Sequence, residues 1–175
     1  MSEFSESYHL RSERADDAIE LLQRAKRKGY VYEPVNGWVS FVADDGTFEP
    51  DQQIVAAARQ PLLHFVSAED HGWGFTFFDG GKVVTGYRCD WENDITADDS
   101  KYSRAAILRL VPSADPSLLD ELERRFHPAD FDELLELKPS RLLANALGLE
   151  HYDWLAYDYI ASDSPDDHPD VTEVT

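Results

Sequence analysis

The pattern of apolar and polar residues near the start of the chain changes from the period of a strand to that of a helix. Tyr8 and Leu10 alternate with polar neighbours, which is typical of a half-buried strand. Over residues 13–28 the apolar positions instead recur at helical spacing. They are Ala15, Ala18, Ile19, Leu22 and Ala25. Ser12 suits the N-cap of this helix and Gly29 suits its end. The pattern predicts a strand and then a helix that packs its apolar stripe on a sheet.

Five β-rich runs follow, interrupted by one short helix. GYVYEPV and GWVSFVADDG are joined at Asn36-Gly37, a dipeptide that readily takes the positive φ angles of a hairpin turn. Pro50 and Asp51 open a second helix. PLLHFVS, GWGFTFFDGG and KVVTGYRCDW indicate three more strands, and Gly80-Gly81 marks the clearest turn between them.

The second half of the chain is mostly helical by the same criteria. ENDITADDS has the composition of an acidic loop, and SRAAILRLV is compatible with a strand or a short helix. Asp115-Pro116 combines an N-cap with a first-turn proline, and Pro139 begins a helix that ends at Gly148.

Strands that precede a block of helices predict an α+β fold. We expect an antiparallel sheet of about five to seven strands with two early helices and a C-terminal helical block. A chain of 175 residues suits one core, so a single domain is expected over 1–160. Residues 161–175 lack a core-forming pattern and are expected to form an acidic, flexible tail.

The charge of the chain restricts the classes of partner that the protein is expected to bind. It has 35 acidic and 16 basic residues, a formal charge of −19. Such a surface repels phosphates, so direct binding to nucleic acid or to a membrane is not expected. The single cysteine, Cys89, cannot form an intramolecular disulfide, and the N-terminus lacks a secretory pattern. These features predict a cytoplasmic protein. The acidic surface also has a second explanation, because an organism with a salty cytoplasm selects acidic surfaces in its proteins generally.

The stretch AEDHGWGF raises the question of catalysis. Glu69, Asp70 and His71 could act as general acid or base, or could bind a divalent cation through carboxylate oxygens. The same residue types are typical of a solvated turn between two strands. No zinc-ligand spacing or phosphate-binding loop accompanies them. The leading expectation is therefore no cofactor and no metal. In the alternative hypothesis, the three residues are candidates for a hydrolase or metal-assisted site.

Aromatic residues lie beside the acidic runs, and tryptophan and tyrosine often anchor protein interfaces. The residues expected to bind a partner are Trp91, Asp94, Asp98, Asp99, Tyr152 and Trp154. Trp91 is the expected anchor because it ends a strand and leads into the acidic loop, whereas Trp38 and Trp73 open strands and are expected in the core. The leading hypothesis is an acidic module that binds or neutralises a basic protein partner, as an immunity protein meets a nucleic-acid-directed toxin. The alternatives are the hydrolase and an acidic DNA mimic.

Overall fold

One antiparallel sheet of eight strands forms the centre of the molecule in a computed structural model, which describes residues 2–175 except for the side chains at positions 135, 137 and 165. The strands are β1 (Phe4–Arg11), β2 (Gly29–Tyr32), β3 (Trp38–Ala43), β4 (Leu62–Ala68), β5 (Gly72–Asp79), β6 (Lys82–Asp90), β7 (Thr96–Asp98) and β8 (Val171–Val174). Their order across the sheet is β7-β6-β5-β4-β1-β3-β2-β8.

Helices precede, interrupt and follow the strands along the chain. They are α1 (Ala15–Ala25), α2 (Gln52–Ala57), α3 (Arg104–Leu110), α4 (Pro116–Glu123), α5 (Phe131–Leu137), α6 (Pro139–Leu147) and α7 (Tyr157–Ser162). The α+β class, with two early helices and a C-terminal helical block, is confirmed. Within residues 2–175, no helix combines the length and the apolar character that a membrane crossing requires.

The connections explain why α1 and α2 lie on the same face of the sheet. β1 is antiparallel to both of its neighbours, β3 and β4, and β2 is antiparallel to β3. It follows that β1 runs parallel to β2, with β3 between them, and that β3 runs parallel to β4, with β1 between them. α1 joins the first parallel pair and α2 joins the second. The two connections cross the sheet in opposite directions, and they start from strands of opposite orientation. If both crossovers are right-handed, these two reversals compensate, and both helices lie on the same face.

The two faces of the sheet carry separate cores. On the face that we call the front, Leu22 of α1 and Ile54 of α2 pack with Phe41 of β3. On the back face, residues of α3, α4, α5 and α6 pack against β3 to β6 in a larger cluster. Trp38 and Trp73 both belong to the back core and are buried, so the prediction that these two tryptophans enter the core is confirmed.

Several of the predicted turns and caps are present in the structure. Asn36 and Gly37 have φ angles of 53° and 76°, the positive values that a tight hairpin turn requires. Asp51 accepts hydrogen bonds from two backbone N–H groups in the first turn of α2, and Asp115 does the same for α4. Gly148 ends α6 in the left-handed conformation.

The helix predicted over 13–28 is shorter than expected. α1 covers Ala15–Ala25, and no side chain caps its start, so Ser12 is not the N-cap. Lys26 ends the helix in the left-handed region, with φ 56°, and its N–H bonds to a carbonyl of the last turn. Gly29 belongs to β2 instead. A Cβ at Gly29 would lie 2.3 Å from the carbonyl oxygen of Val42, so this glycine serves close strand packing.

Two short edge strands were not predicted. β7 lies inside the expected acidic loop, and β8 lies inside the expected flexible tail over 161–175. β8 pairs with β2 and buries Val174 against the front core, so Val171–Val174 belong to the sheet. The edge of β2 presents backbone N–H and C=O groups that an extended segment of almost any composition can satisfy, so composition does not reveal this pairing. The two strands bring the sheet to eight.

Candidate functional site

Part of the front face is not covered by α1 and α2. The strands β5 to β7 continue the sheet beyond β4. Phe78 near the end of β5 still packs in the front core with residues of both helices. Strand register aligns the front-facing residues of the strands in rows: one row is Val66, Gly74, Arg88 and Asp98, and the next is Ala68, Gly72, Asp90 and Thr96. We call these two rows the open face. A Cβ at Gly74 would lie 2.8 Å from the carbonyl oxygen of Tyr87, so the strands pass closely here. Gly72 and Gly74 have no side chains, so few side chains cover the floor of the open face.

A loop crosses the front face beside the open face. This crossing loop, residues 44–51, connects β3 to α2. The backbone N–H of Phe48 donates to a carboxylate oxygen of Glu6 at 2.8 Å, and that of Asp51 donates to the hydroxyl of Tyr8 at 2.9 Å. Asp45 and Phe48 have positive φ angles of 57° and 61°, which non-glycine residues rarely adopt. Contacts to β1 therefore hold the loop in a strained conformation.

Beneath the crossing loop lies a buried pair of ionisable side chains. His64 Nε2 is 2.9 Å from Glu6 Oε1, and the two side chains are only 3% and 10% exposed. Glu6 also accepts the hydrogen bond from Phe48, so both of its oxygens are satisfied. The ring of Tyr8 lies 4.9 Å from that of His64, and burial raises the pKa of Tyr8. Removing one member of such a pair leaves the other without its partner, which is costly in a buried setting.

Two clefts flank the crossing loop. Cleft 1 has a volume of about 560 Å³ and lies between the loop and the start of α7. Its aromatic residues are Phe4, Tyr8, Phe48, Tyr157 and Tyr159. Its acidic residues are Glu6, Asp44, Asp45, Glu49, Asp51 and Asp158. Arg27 also lines the cleft and pairs with Asp51 at 2.5 Å. The cleft thus combines aromatic walls with a large excess of negative charge.

Cleft 2 lies on the other side of the crossing loop and uses the open face as its floor. Its volume is about 480 Å³. Arg88 spans it: Nε bonds both carboxylate oxygens of Asp90, at 2.9 and 2.8 Å, and Nη1 bonds Glu49 of the crossing loop. The hydrogen bond to Glu49, and then that to Asp90, raise the pKa of Arg88. Glu92 and His71 also line this cleft.

The three catalytic candidates lie together in the turn between β4 and β5. Glu69, Asp70 and His71 are all exposed. Glu69 exchanges backbone and side-chain hydrogen bonds with Glu3, at 2.9 and 3.1 Å, so its role in the turn is structural. Among residues 2–175, no three or more His, Cys, Asp or Glu side chains are grouped as metal ligands. The three residues thus form an exposed turn between two strands.

The six predicted binding residues do not form one patch. Asp98 lies on the open face, as the cross-strand neighbour of Arg88. Asp99 is 2.9 Å from His127, and Asp94 is exposed in the connection before β7. Trp91 and Tyr152 line a small pocket of about 70 Å³.

Trp154 differs from the other tryptophans in its exposure. It is 44% exposed and has a φ angle of 51°. Its backbone N–H donates to a carboxylate oxygen of Glu3 at 3.1 Å, and its ring lies 5.9 Å from that of Tyr159 in the wall of cleft 1. The structure therefore holds the backbone of an exposed tryptophan beside the larger cleft.

Sequence reasoning missed the residues that form the clefts, above all Glu6, Glu49, His64 and Arg88. One signal was present. Gly72 and Gly74 are two residues apart on one strand, so they share a face, and a face without side chains is open to a ligand or a second backbone. The contribution of the crossing loop depends on contacts between distant parts of the chain and leaves no local pattern.

Comparisons with protein families, with curated proteins and with solved structures give no match for this chain. Topology alone does not define function, because one fold hosts many activities. Function is therefore inferred from the geometry and the charge of the clefts.

Proposed function

We propose that the protein is an acidic protein-binding or neutralising module, comparable in role to an immunity protein, that engages a basic protein partner through the open face and the two clefts. One observation carries the proposal: six acidic residues and five aromatic residues line cleft 1 with a single arginine, Arg27. Carboxylates attract lysine and arginine side chains, and aromatic faces add cation–π attraction. A cytoplasmic encounter is part of the proposal and is supported by the sequence alone.

The placement of the clefts supports a macromolecular partner. Clefts 1 and 2 share Thr47, Phe48, Glu49 and Pro50 as a common wall. Two basic side chains from one partner surface can therefore enter on either side of the same loop. The formal charge of −19 would also steer a basic partner toward this protein before contact.

Trp154 is the anchor that we propose for this interface. An exposed tryptophan on a constrained backbone loses little conformational entropy on binding and offers a large contact area. Trp91 suits this role less well, because its indole N–H already bonds to a carbonyl of the chain. The proposed binding surface also includes three acids on its β7 side, Asp94, Asp98 and Asp99. It further includes two aromatic residues that support the interface, Trp91 and Tyr152.

The test compares two variants that remove equal charge. D45N/D158N neutralises two exposed acids of cleft 1, whereas D132N/E136Q neutralises two exposed acids of α5, away from both clefts. A partner would be captured from extracts of the native organism, purified and measured in binding kinetics over a range of salt concentrations. D45N/D158N should slow association and flatten its salt dependence more than D132N/E136Q does. Equal effects of both variants, or a partner without a basic surface, would refute the proposal.

A further inference from the structure

The position of Arg88 suggests how the open face recognises a cation. Its guanidinium lies between two carboxylates from different parts of the chain, Asp90 on β6 and Glu49 on the crossing loop. Nε faces the first carboxylate and Nη1 faces the second. The contacts of Arg88 thus show that Glu49 and Asp90 together can bind one guanidinium across cleft 2.

This internal ion pair is easily exchanged. The side chains of Arg88, Glu49 and Asp90 are 52%, 62% and 43% exposed. Ion pairs at such exposure are screened by water and salt and contribute little to stability. Another guanidinium can therefore replace that of Arg88 at small cost, and a partner that covers the cleft would strengthen the new pair by excluding water.

We propose that Glu49 and Asp90 form an arginine-binding site, which Arg88 fills in the free protein and leaves when a basic partner inserts an arginine of its own. This inference rests on the proposed function and specifies the chemistry of the partner. A guanidinium presents donors along two edges of a rigid plane, so it can bridge two separate carboxylates. A lysine ammonium donates from one atom and fits this bridge less well.

The neighbours of Arg88 leave room for the exchange. Gly74, the cross-strand neighbour on β5, has no side chain to occupy the floor beside it. Asp98, the cross-strand neighbour on β7, is exposed and offers a carboxylate to the displaced guanidinium. The released charge therefore has a nearby partner on the same face.

Two variants that each remove one positive charge test this site. R88Q removes the internal arginine, and R124Q removes an exposed arginine at the end of α4, where it does not line either cleft. The probes are an oligo-arginine and an oligo-lysine peptide of equal length, and the readout is fluorescence anisotropy. R88Q should bind the arginine peptide about two- to fivefold more tightly than R124Q does, because only R88Q frees the two carboxylates from competition.

A second variant tests the choice of arginine. E49Q/D90N should weaken binding of the arginine peptide more than binding of the lysine peptide, with circular dichroism confirming that the variant is folded. Equal affinities of R88Q and R124Q, or weaker binding by R88Q, would overturn the arginine site while leaving the proposed function in place. Failure of the wild type and all variants to bind either peptide would overturn both.

Discussion

The indole N–H of Trp91 donates a hydrogen bond to the backbone carbonyl of Glu69 at 2.8 Å. The backbone N–H of Trp91 also bonds to the carbonyl of His71 at 2.9 Å. Together these bonds tie the end of β6 to the turn between β4 and β5. The residue predicted as an interface anchor and two of the three predicted catalytic candidates, Glu69 and His71, are thus parts of one structural contact.

Replacing Trp91 should therefore reduce stability. Trp91 is half-buried against the back core, so Trp91→Ala should lower the free energy of unfolding by about 2–3 kcal/mol, somewhat less than the loss for a fully buried tryptophan. Trp91→Phe keeps most of the packing and should cost about 1 kcal/mol, the typical contribution of one hydrogen bond. Denaturant unfolding measures both. Wild-type stability in the alanine variant would show that the contact does not hold the turn.

The front core gives a second prediction. Leu22 is fully buried between α1 and the sheet, whereas Ile19 on the same helix is only partly buried. Leu22→Ala should cost about 2–5 kcal/mol, because it removes buried apolar surface and leaves a cavity. Ile19→Ala is the matched control and should cost clearly less. Urea unfolding of both variants checks the order, and an equal loss would mean that α1 packs with a different face.

Much of the fold could be predicted because local chemistry decides it. Asn36-Gly37 and Gly80-Gly81 supply the positive φ angles of two hairpin turns, and these turns account for the pairing of β2 with β3 and of β5 with β6. The end of α1 was placed wrongly because Lys26, and not a glycine, takes the left-handed conformation. Heuristics that search for glycine cannot find such a cap, since the hydrogen bonds of the helix end stabilise it.

The clefts could not be predicted because they depend on contacts between distant segments. Glu6 reaches Phe48 across 42 positions, and Arg88 reaches Glu49 across 39. These contacts require β1, β6 and the crossing loop to lie in their native positions. The sequence does show a shortage of side chains at Gly72 and Gly74, but it does not show which segment lies beside them.

The C-terminal strand should contribute to stability. Deleting residues 170–175 removes the pairing of β8 with β2 and exposes the site where Val174 is buried. We expect a loss of about 2–4 kcal/mol, from one buried valine and several backbone hydrogen bonds. Removal of Thr175 alone is the control and should have little effect, since this residue follows the strand and is exposed. An unchanged melting temperature after the longer deletion would contradict a stabilising role of β8 and would support a flexible tail over residues 161–175.

His9 should make stability depend on pH. It is fully buried in the back face, with Nδ1 2.8 Å from the hydroxyl of Ser40 and Nε2 3.0 Å from that of Ser7. Burial lowers the pKa of His9 from its ordinary value of 6.5 to about 3. Between these two pH values the unfolded chain binds a proton at His9 that the folded chain does not bind, so the free energy of unfolding rises with pH.

The contribution of His9 is present above pH 6.5 and is lost as the pH falls toward 3. Its slope cannot exceed about 1.4 kcal/mol per pH unit, the value for one proton. His9→Gln keeps a polar side chain but removes this titration, so its free energy of unfolding should fall less steeply than that of the wild type as the pH is lowered from neutral to mildly acidic. The comparison uses slopes, which are independent of any constant loss of stability that the substitution causes. Burial also lowers the pKa of His151, a histidine that both proteins contain. Identical slopes for the two proteins would mean that the folded and unfolded chains bind the proton of His9 equally, and that burial does not keep His9 neutral.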